Sequence, residues 1–227
     1  MDYPLHAPGS LVDSVYEIIK KEIACSYLRP GDKLNSRILA ERYQVSETPI
    51  KQALNRLITE GLVESIPRKG MRVCKITWEE IDEVLELRQM LDTFFVSDVI
   101  KNLRNAPDLA EKLQKIIRMQ TACLELIEDT EYYNETYELD SRFHELYIYF
   151  SGNSKALDVF RNLNSHLYSN FIYGRQPREQ TLEGIQEHQA ILDALTAEDE
   201  DQAKKLIILH ISNARKHIYA ALKQNKL

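Results

Sequence analysis

Apolar side chains recur at helical spacing along almost the whole chain, with one short change of period near residue 65. Val12, Val15, Tyr16, Ile19 and Ile23 share one face of a helix expected over residues 11–26. Leu28-Arg29-Pro30-Gly31-Asp32 ends it, since proline and glycine together mark a turn. A short helix is expected over residues 36–43, with Ile38 and Leu39 inward, and Gln44-Val45 makes a tight connection. Ser46 suits the cap of a third helix, and Pro49 falls in its first turn, where a missing N–H costs little. Ile50, Ala53, Leu54, Leu57 and Ile58 then form one buried stripe, and Gly61 stops the helix.

After Gly61 the pattern shortens. Residues 62–66 and 71–73 read as two strands joined by the basic turn Pro67-Arg68-Lys69-Gly70. Three helices and a hairpin outline a winged helix-turn-helix over residues 1–75. Residues 75–78 read as a linker. Thr77 caps the next helix, with Glu79 and Glu80 in its first turn and Ile81, Val84, Leu85, Arg88, Leu91 and Phe95 following. Five more helices are expected at about 107–128, 131–151, 154–173, 177–197 and 199–224. Short connections make antiparallel neighbours, so residues 76–227 should form a bundle of about six antiparallel helices. The fold class is mostly α.

Composition narrows the function. No segment approaches the roughly 20 apolar residues that span a bilayer. The first nine residues lack the basic and apolar regions of a secretory signal, so a cytoplasmic location without a membrane partner is expected. Cys25, Cys74 and Cys123 are odd in number and widely spaced, which suits reduced thiols in core or neutral positions. The net charge of -6 is divided unevenly. Residues 1–75 hold 12 Lys+Arg against 9 Asp+Glu, whereas residues 76–227 hold 17 against 26. DNA binding confined to the first part is compatible with that division.

Helices at 36–43 and 46–60 joined by so short a turn have helix-turn-helix spacing, although a plain helical hairpin has it too. The outward face of the second carries Glu47, Thr48, Lys51, Gln52 and Asn55, all able to bond base edges or phosphates. Arg68 and Lys69 at the turn suit phosphate contact, or are simply solvated. Further along, Asp140 and His144 are four apart and share a helix face. His188 and His210 lie near the middles of the last two helices. One carboxylate and three imidazoles from three helices can converge on a divalent ion, with zinc the first choice and nickel or manganese alternatives. Core or surface histidines without metal would look the same by spacing, and His166 and His217 compete for the same role.

Two resemblances extend this reading. Pro30-Gly31-Asp32-Lys33-Leu34, residues 39–46, residues 48–57, Glu60-Gly61-Leu62-Val63 and Gly70-Met71-Arg72-Val73 resemble the DNA-binding domain of the GntR family of bacterial regulators. That resemblance implies DNA contacts by Arg37, Thr48 and Gly70, where the wing glycine allows close approach to the minor groove. Glu47 and Lys51 stand where the family usually has two other basic residues. A carboxylate cannot donate to guanine, though it can accept from a cytosine amino group. The operator should therefore differ from the family's commoner ones.

Leu87-Arg88-Gln89-Met90-Leu91-Asp92, Asp140-Ser141-Arg142-Phe143-His144, residues 187–195 and the late His210 resemble the FCD effector domain, found in the fatty-acid-regulator-like branch of that family. Asp140, His144, His188 and His210 match the metal ligands of its metal-binding members. Arg88 matches an arginine that faces the ligand cavity. Asp92 departs from the more usual Glu. Asn213, one turn after His210, either faces the same cavity or solvent. The resemblance implies a homodimeric regulator, a repressor by preference, that binds operator DNA and a small carboxylate effector. A metal-dependent helical enzyme and a metal-free sensor are the alternatives. No H-E-x-x-H, P-loop or glycine-rich nucleotide motif favours the enzyme.

Overall fold

The computed structural model describes residues 10–24, 27–75, 77–125, 131–163 and 177–224. The chain divides into two compact units, Met1–Lys75 and Ile76–Leu227.

In the first unit, helices α1 (Leu11–Ala24), α2 (Ser36–Tyr43) and α3 (Glu47–Thr59) accompany strands β1 (Lys33–Leu34), β2 (Val63–Ile66) and β3 (Gly70–Val73). Ile19 and Ile23 of α1 bury completely, as do Ile50, Leu54 and Leu57 of α3. The sheet runs β1-β3-β2 with both pairings antiparallel, placing Lys33 and Glu64 on either side of Arg72. Strand β1 was not expected, because two residues carry no readable period. Gly31 creates it by turning with φ 87°, so that its own N–H reaches Val73 O while Asp32 O accepts from Val73 N.

Two local expectations need correction. Ile38 is 60% exposed, because the short α2 buries only its Leu39–Ala40 side. Its cap is Asn35, whose side chain accepts from the Arg37 and Ile38 N–H groups. Ser46 does precede α3, but its side chain makes no cap bond. Gly61, with φ 75°, follows α3 as expected.

The second unit contains α4 (Trp78–Phe94), α5 (Val96–Asn105), α6 (Asp108–Glu125), α7 (Glu131–Tyr149), α8 (Ser154–Asn162), α9 (Arg178–Thr196) and α10 (Glu200–Gln224). These are seven helices among the described residues, in keeping with a bundle of about six, with the stretch expected as one helix from Trp78 to Asn105 divided at Phe95 (φ -91°, ψ 6°). Buried positions 81, 85, 88, 92, 96, 99 and 103 keep helical spacing across the break, so the sequence pattern hides it. Just before it, Thr93 Oγ1 donates to Gln89 O at 2.7 Å, a back-bond that bends helices. The second half of the helix expected at 154–173, with His166, lies outside the described residues, as do Cys25 and residues 128–130 of the break expected at 128–131. Cys74 and Cys123 are half-buried. Among the described residues no helix is long and apolar enough to cross a membrane.

The start of α4 is fixed by a reciprocal cap. Glu80 N donates to Thr77 Oγ1 at 3.2 Å, and Thr77 N donates to Glu80 Oε2 at 2.9 Å. Thr77→Ala should cost about 1 kcal/mol of stability. Urea unfolding followed by helicity measures it, and an unshifted midpoint would contradict the cap.

Candidate functional site

Helix α3 exposes Thr48, Lys51, Gln52 and Asn55 along one side. Glu47 is bound to its neighbours: Lys51 Nζ lies 2.8 Å from its carboxylate, and Ser36 Oγ donates to it at 3.2 Å. The Lys51 hydrogen bond holds the Glu47 carboxyl below the usual range. Arg37 Nε sits 3.3 Å from Glu41 Oε1. Exposed pairs of this kind contribute little, so these cations can exchange partners for phosphate or a base edge. At the hairpin tip Arg68 (φ 65°), Lys69 and Gly70 (φ 89°) are exposed. A Cβ on Gly70 would meet nothing within 4 Å, so the backbone conformation, not crowding, calls for glycine.

The second unit gathers its histidines. α7 supplies His144, α9 supplies His188 and α10 supplies His210, all buried. The His144 Nε2 atom lies 3.1 Å from His188 Nε2 and 3.2 Å from His210 Nε2. Asp140, one turn before His144, brings Oδ1 to 3.4 Å from His188 Nε2. His217 is outside that group, with Nε2 3.7 Å from Glu183 Oε2, although it lines the cavity beside it. Among the described residues these three imidazoles are the group whose ligand atoms could share one ion.

The outward nitrogens settle which way the lone pairs point. Glu187 Oε2 lies 2.7 Å from His210 Nδ1, and Gln120 Oε1 lies 3.2 Å from His188 Nδ1. Both acceptors favour a proton on Nδ1 and leave Nε2 bare. Asp92 Oδ2 faces His144 Nδ1 at 3.9 Å, too long for a hydrogen bond but of the same sign. Where all three Nε2 atoms are bare, spacings this short call for a cation between them; a proton on His144 Nε2, whose Nδ1 has no acceptor within hydrogen-bond distance, is the other way to join them. A tetrahedral zinc with bonds of about 2.05 Å separates its ligand nitrogens by about 3.3 Å, near the spacings found here. The donor set therefore fits a divalent ion. Burial, with Arg88 and the neighbouring imidazoles, holds the His144 ring well below its ordinary pKa, and His188 behaves likewise. Both rings are thus in the neutral form that ligation needs.

Beside this cluster is a cavity of about 50 Å³ whose lining includes Arg88, Asp140, Thr181 and His210. Arg88 Nε faces Asp92 Oδ2 at 3.4 Å, while its buried Nη2 has no hydrogen-bond partner among the described residues. Asn213 is engaged with Glu187, donating from Nδ2 to Oε1 at 2.6 Å, which steadies the acceptor of His210. Sequence reasoning did not find Gln120, Glu187 or Thr181. Gln120 had a visible signal: it interrupts the buried stripe Leu113, Ile116, Ile117 and Leu124 on α6.

Fold and family matches together mark a transcription regulator with a winged helix-turn-helix and a helical effector domain, not an enzyme. Residues 11–73 match the family described as bacterial regulatory proteins, gntR family, and residues 83–213 match the FCD domain. The chain belongs to the GntR family of regulators and carries an FCD domain. It is 26% identical over 232 residues to the uncharacterized HTH-type transcriptional regulator YdhC of Bacillus subtilis, covering 99% of this chain and 98% of that one. The HTH-type transcriptional repressor RspR of Escherichia coli is 21% identical, covering 93% of this chain and 90% of its own. Among solved structures, E. coli McbR/YncC superposes with a TM-score of 0.71 at 20% identity, covering 93% of this chain and 98% of that one. GntR regulators bind operator DNA and small-molecule effectors, and FCD domains commonly bind metal.

Two expectations follow. Glu47→Arg removes the partner of Lys51 and places a donor where a carboxylate stood. Selection from random DNA should then return a changed preferred sequence, and an unchanged one would remove Glu47 from the bases. The second concerns acid. In metal-stripped protein, unfolding lets His144 and His188 take up protons near pH 6.5 that the folded chain refuses. Stability therefore falls as pH drops through that value. Asp92 opposes this: burial, despite Arg88, raises its carboxyl to about 6, so its stabilising protonation is lost as pH rises through 6. Two imidazoles outweigh one carboxyl, so the thermal midpoint should fall between pH 7 and 5. The fall should be shallower in the double variant His144→Gln/His188→Gln; equal slopes would contradict the assignment.

Proposed function

We propose that this chain is an operator-binding repressor whose DNA affinity is set by a small organic acid held beside a divalent metal ion. The observation that carries the reading is the meeting of three buried Nε2 atoms next to a cavity lined by Arg88, whose Nη2 has no hydrogen-bond partner among the described residues. Asp140, His144, His188 and His210 would hold the ion, zinc first, with nickel or manganese as alternatives. The ion supplies a Lewis acid for a carboxylate oxygen, and Arg88 pairs with the acid as a guanidinium does. The repressor role is supported by the name of the relative RspR.

In the DNA-binding unit, Lys51, Thr48 and Glu47 face base edges, and Arg37, Arg68, Lys69 and Gly70 meet the backbone and minor groove. One recognition helix reads only a few base pairs, so the regulator acts as a homodimer on a roughly palindromic site. Effector binding joins α4, through Arg88, to α7, α9 and α10, which carry the metal ligands. A ligand shifts the DNA-bound population only by its differential affinity, a coupling of about 1–3 kcal/mol.

Metal analysis of the purified protein tests the site. Wild type should carry about one divalent ion per chain and His188→Ala and His210→Ala far less, while both variants keep their helicity and basal operator binding. Equal metal in all three would overturn the site, and an effector response intact without metal would overturn the mechanism. Lys51→Ala and Arg37→Ala should weaken operator binding, by about 1–3 kcal/mol wherever a base contact is lost. Unchanged affinity in a salt-controlled titration would remove that residue from the interface.

A further inference from the structure

At the start of α3 a single carboxylate oxygen gathers two partners. Glu47 Oε2 lies 2.8 Å from Lys51 Nζ, and it accepts from Ser36 Oγ at 3.2 Å. Ser36 is the first residue of α2, so the contact joins the two helices of the helix-turn-helix. A carboxylate can accept about four hydrogen bonds and an ammonium can donate three, so both members of the pair keep capacity for a further partner. Lys51 and Glu47 are one turn apart, and their side chains are 58% and 42% exposed. Their tips therefore present a donor beside an acceptor, 2.8 Å apart. A base pair presents the matching order in the major groove. Guanine O6, an acceptor, lies beside the cytosine amino donor, and the pairing hydrogen bond holds them about 2.9 Å apart.

We infer that the Glu47–Lys51 ion pair stays joined on DNA and reads one G·C pair as a unit, with Ser36 as its positioning residue. The inference rests on the operator-binding reading above and adds to it which base pair the two side chains share. Lys51 donates to guanine, and Glu47 accepts from the amino group of the cytosine paired with it. Thymine O4 and the adenine amino group show the same order, but their flanks differ. Guanine places N7 beside O6, a second acceptor for the ammonium, where thymine places a methyl group. Adenine places an N7 lone pair beside the amino group, against the carboxylate, where cytosine has only a ring C–H. G·C is thus favoured at both ends. Separating the pair would leave a carboxylate, tied by Ser36 to α2, facing the phosphates without its cation. The cytosine contact offsets the weaker donation of a lysine that already holds a carboxylate.

Selection from random DNA with the full-length protein, at low salt so that weakened variants still bind, locates the pair. One G·C position of the wild-type motif should relax in both Glu47→Ala and Lys51→Ala. Titration on the selected site then uses N4-methylcytosine at that position, whose methyl group replaces the amino hydrogen in the major groove. Wild type should lose about 10-fold or more in affinity and Glu47→Ala less than about 3-fold. Ser36→Ala should lose preference at this position alone, with an unchanged salt dependence, and Ser36→Thr should restore it. Wild type and all variants must show the same helicity. Relaxation of two different positions by Glu47→Ala and Lys51→Ala would overturn the joint reading, as would an equal loss on the methylated site in wild type and Glu47→Ala. A Glu47→Ala protein that binds every sequence more tightly with its motif unchanged would reduce the carboxylate to a repeller of phosphate and overturn the inference. Preference retained in Ser36→Ala would overturn the role of Ser36. Failure of the underlying reading looks different: wild type would then enrich no motif at all.

Discussion

The helical domain is organised around one constraint: three buried imidazoles bring ring nitrogens together at one point inside an apolar bundle. Stacking of the Phe143 ring on His188, with centroids 4.1 Å apart, shows how closely that point is enclosed by hydrocarbon. In such surroundings burial opposes the protonation of His144 and His188, which keeps their lone pairs available to a divalent cation. The acceptors outside the cluster matter as much as the ligands within it, because Glu187 and Gln120 fix which nitrogen each ring turns inward. Asn213, by holding the other oxygen of Glu187, extends that control one layer further.

Most of the architecture was legible because helical periodicity is strong here. Wherever it failed, the local signal was absent. Strand β1 is two residues long and exists only through pairing with β3. Ile38 reads as inward on any apolar count, yet an eight-residue helix buries too narrow a side to cover it. The break at Phe95 preserves the apolar spacing and contains neither proline nor glycine. The ligand candidates were visible as residue types at spaced positions, but their convergence is a property of three helices packing, which no single segment encodes. Gln120 and Glu187 show the limit of spacing arguments. A polar residue on a buried stripe announces that it has a partner, not which one.

The DNA-binding unit poses the opposite electrostatic case. Its recognition-helix groups are exposed, so the Glu47–Lys51 and Arg37–Glu41 pairs are screened and exchangeable. Glu47 nevertheless lowers the positive field that the helix offers to phosphate. In the proposed reading, specificity would depend on which partner Lys51 keeps when DNA arrives, since a lysine held by Glu47 is a poorer donor to guanine than an unpaired one. The departure from the family's usual basic residues thus changes two positions together.

Helix α4 is where the histidine cluster meets the rest of the helical domain. Near its C-terminal end, Asp92 faces both Arg88 and His144 with its side chain, and its carbonyl accepts from the Tyr147 hydroxyl at 2.6 Å. Near its N-terminal end, Asp82 accepts from Tyr219 at 2.5 Å and lies 3.2 Å from Arg215, while Trp78 packs edge-on against Tyr219. Tyr147 belongs to α7, which carries His144, and Tyr219 and Arg215 belong to α10, which carries His210. Helix α4 is therefore gripped at each end by a helix that supplies a histidine. Rearranging the cluster cannot leave α4 untouched, because packed side chains transmit displacement instead of absorbing it. Since α4 is also the helix that the chain enters on leaving the DNA-binding unit, the proposed effector, by engaging Arg88, would act at the point where displacement has the shortest covalent route to the operator-binding end.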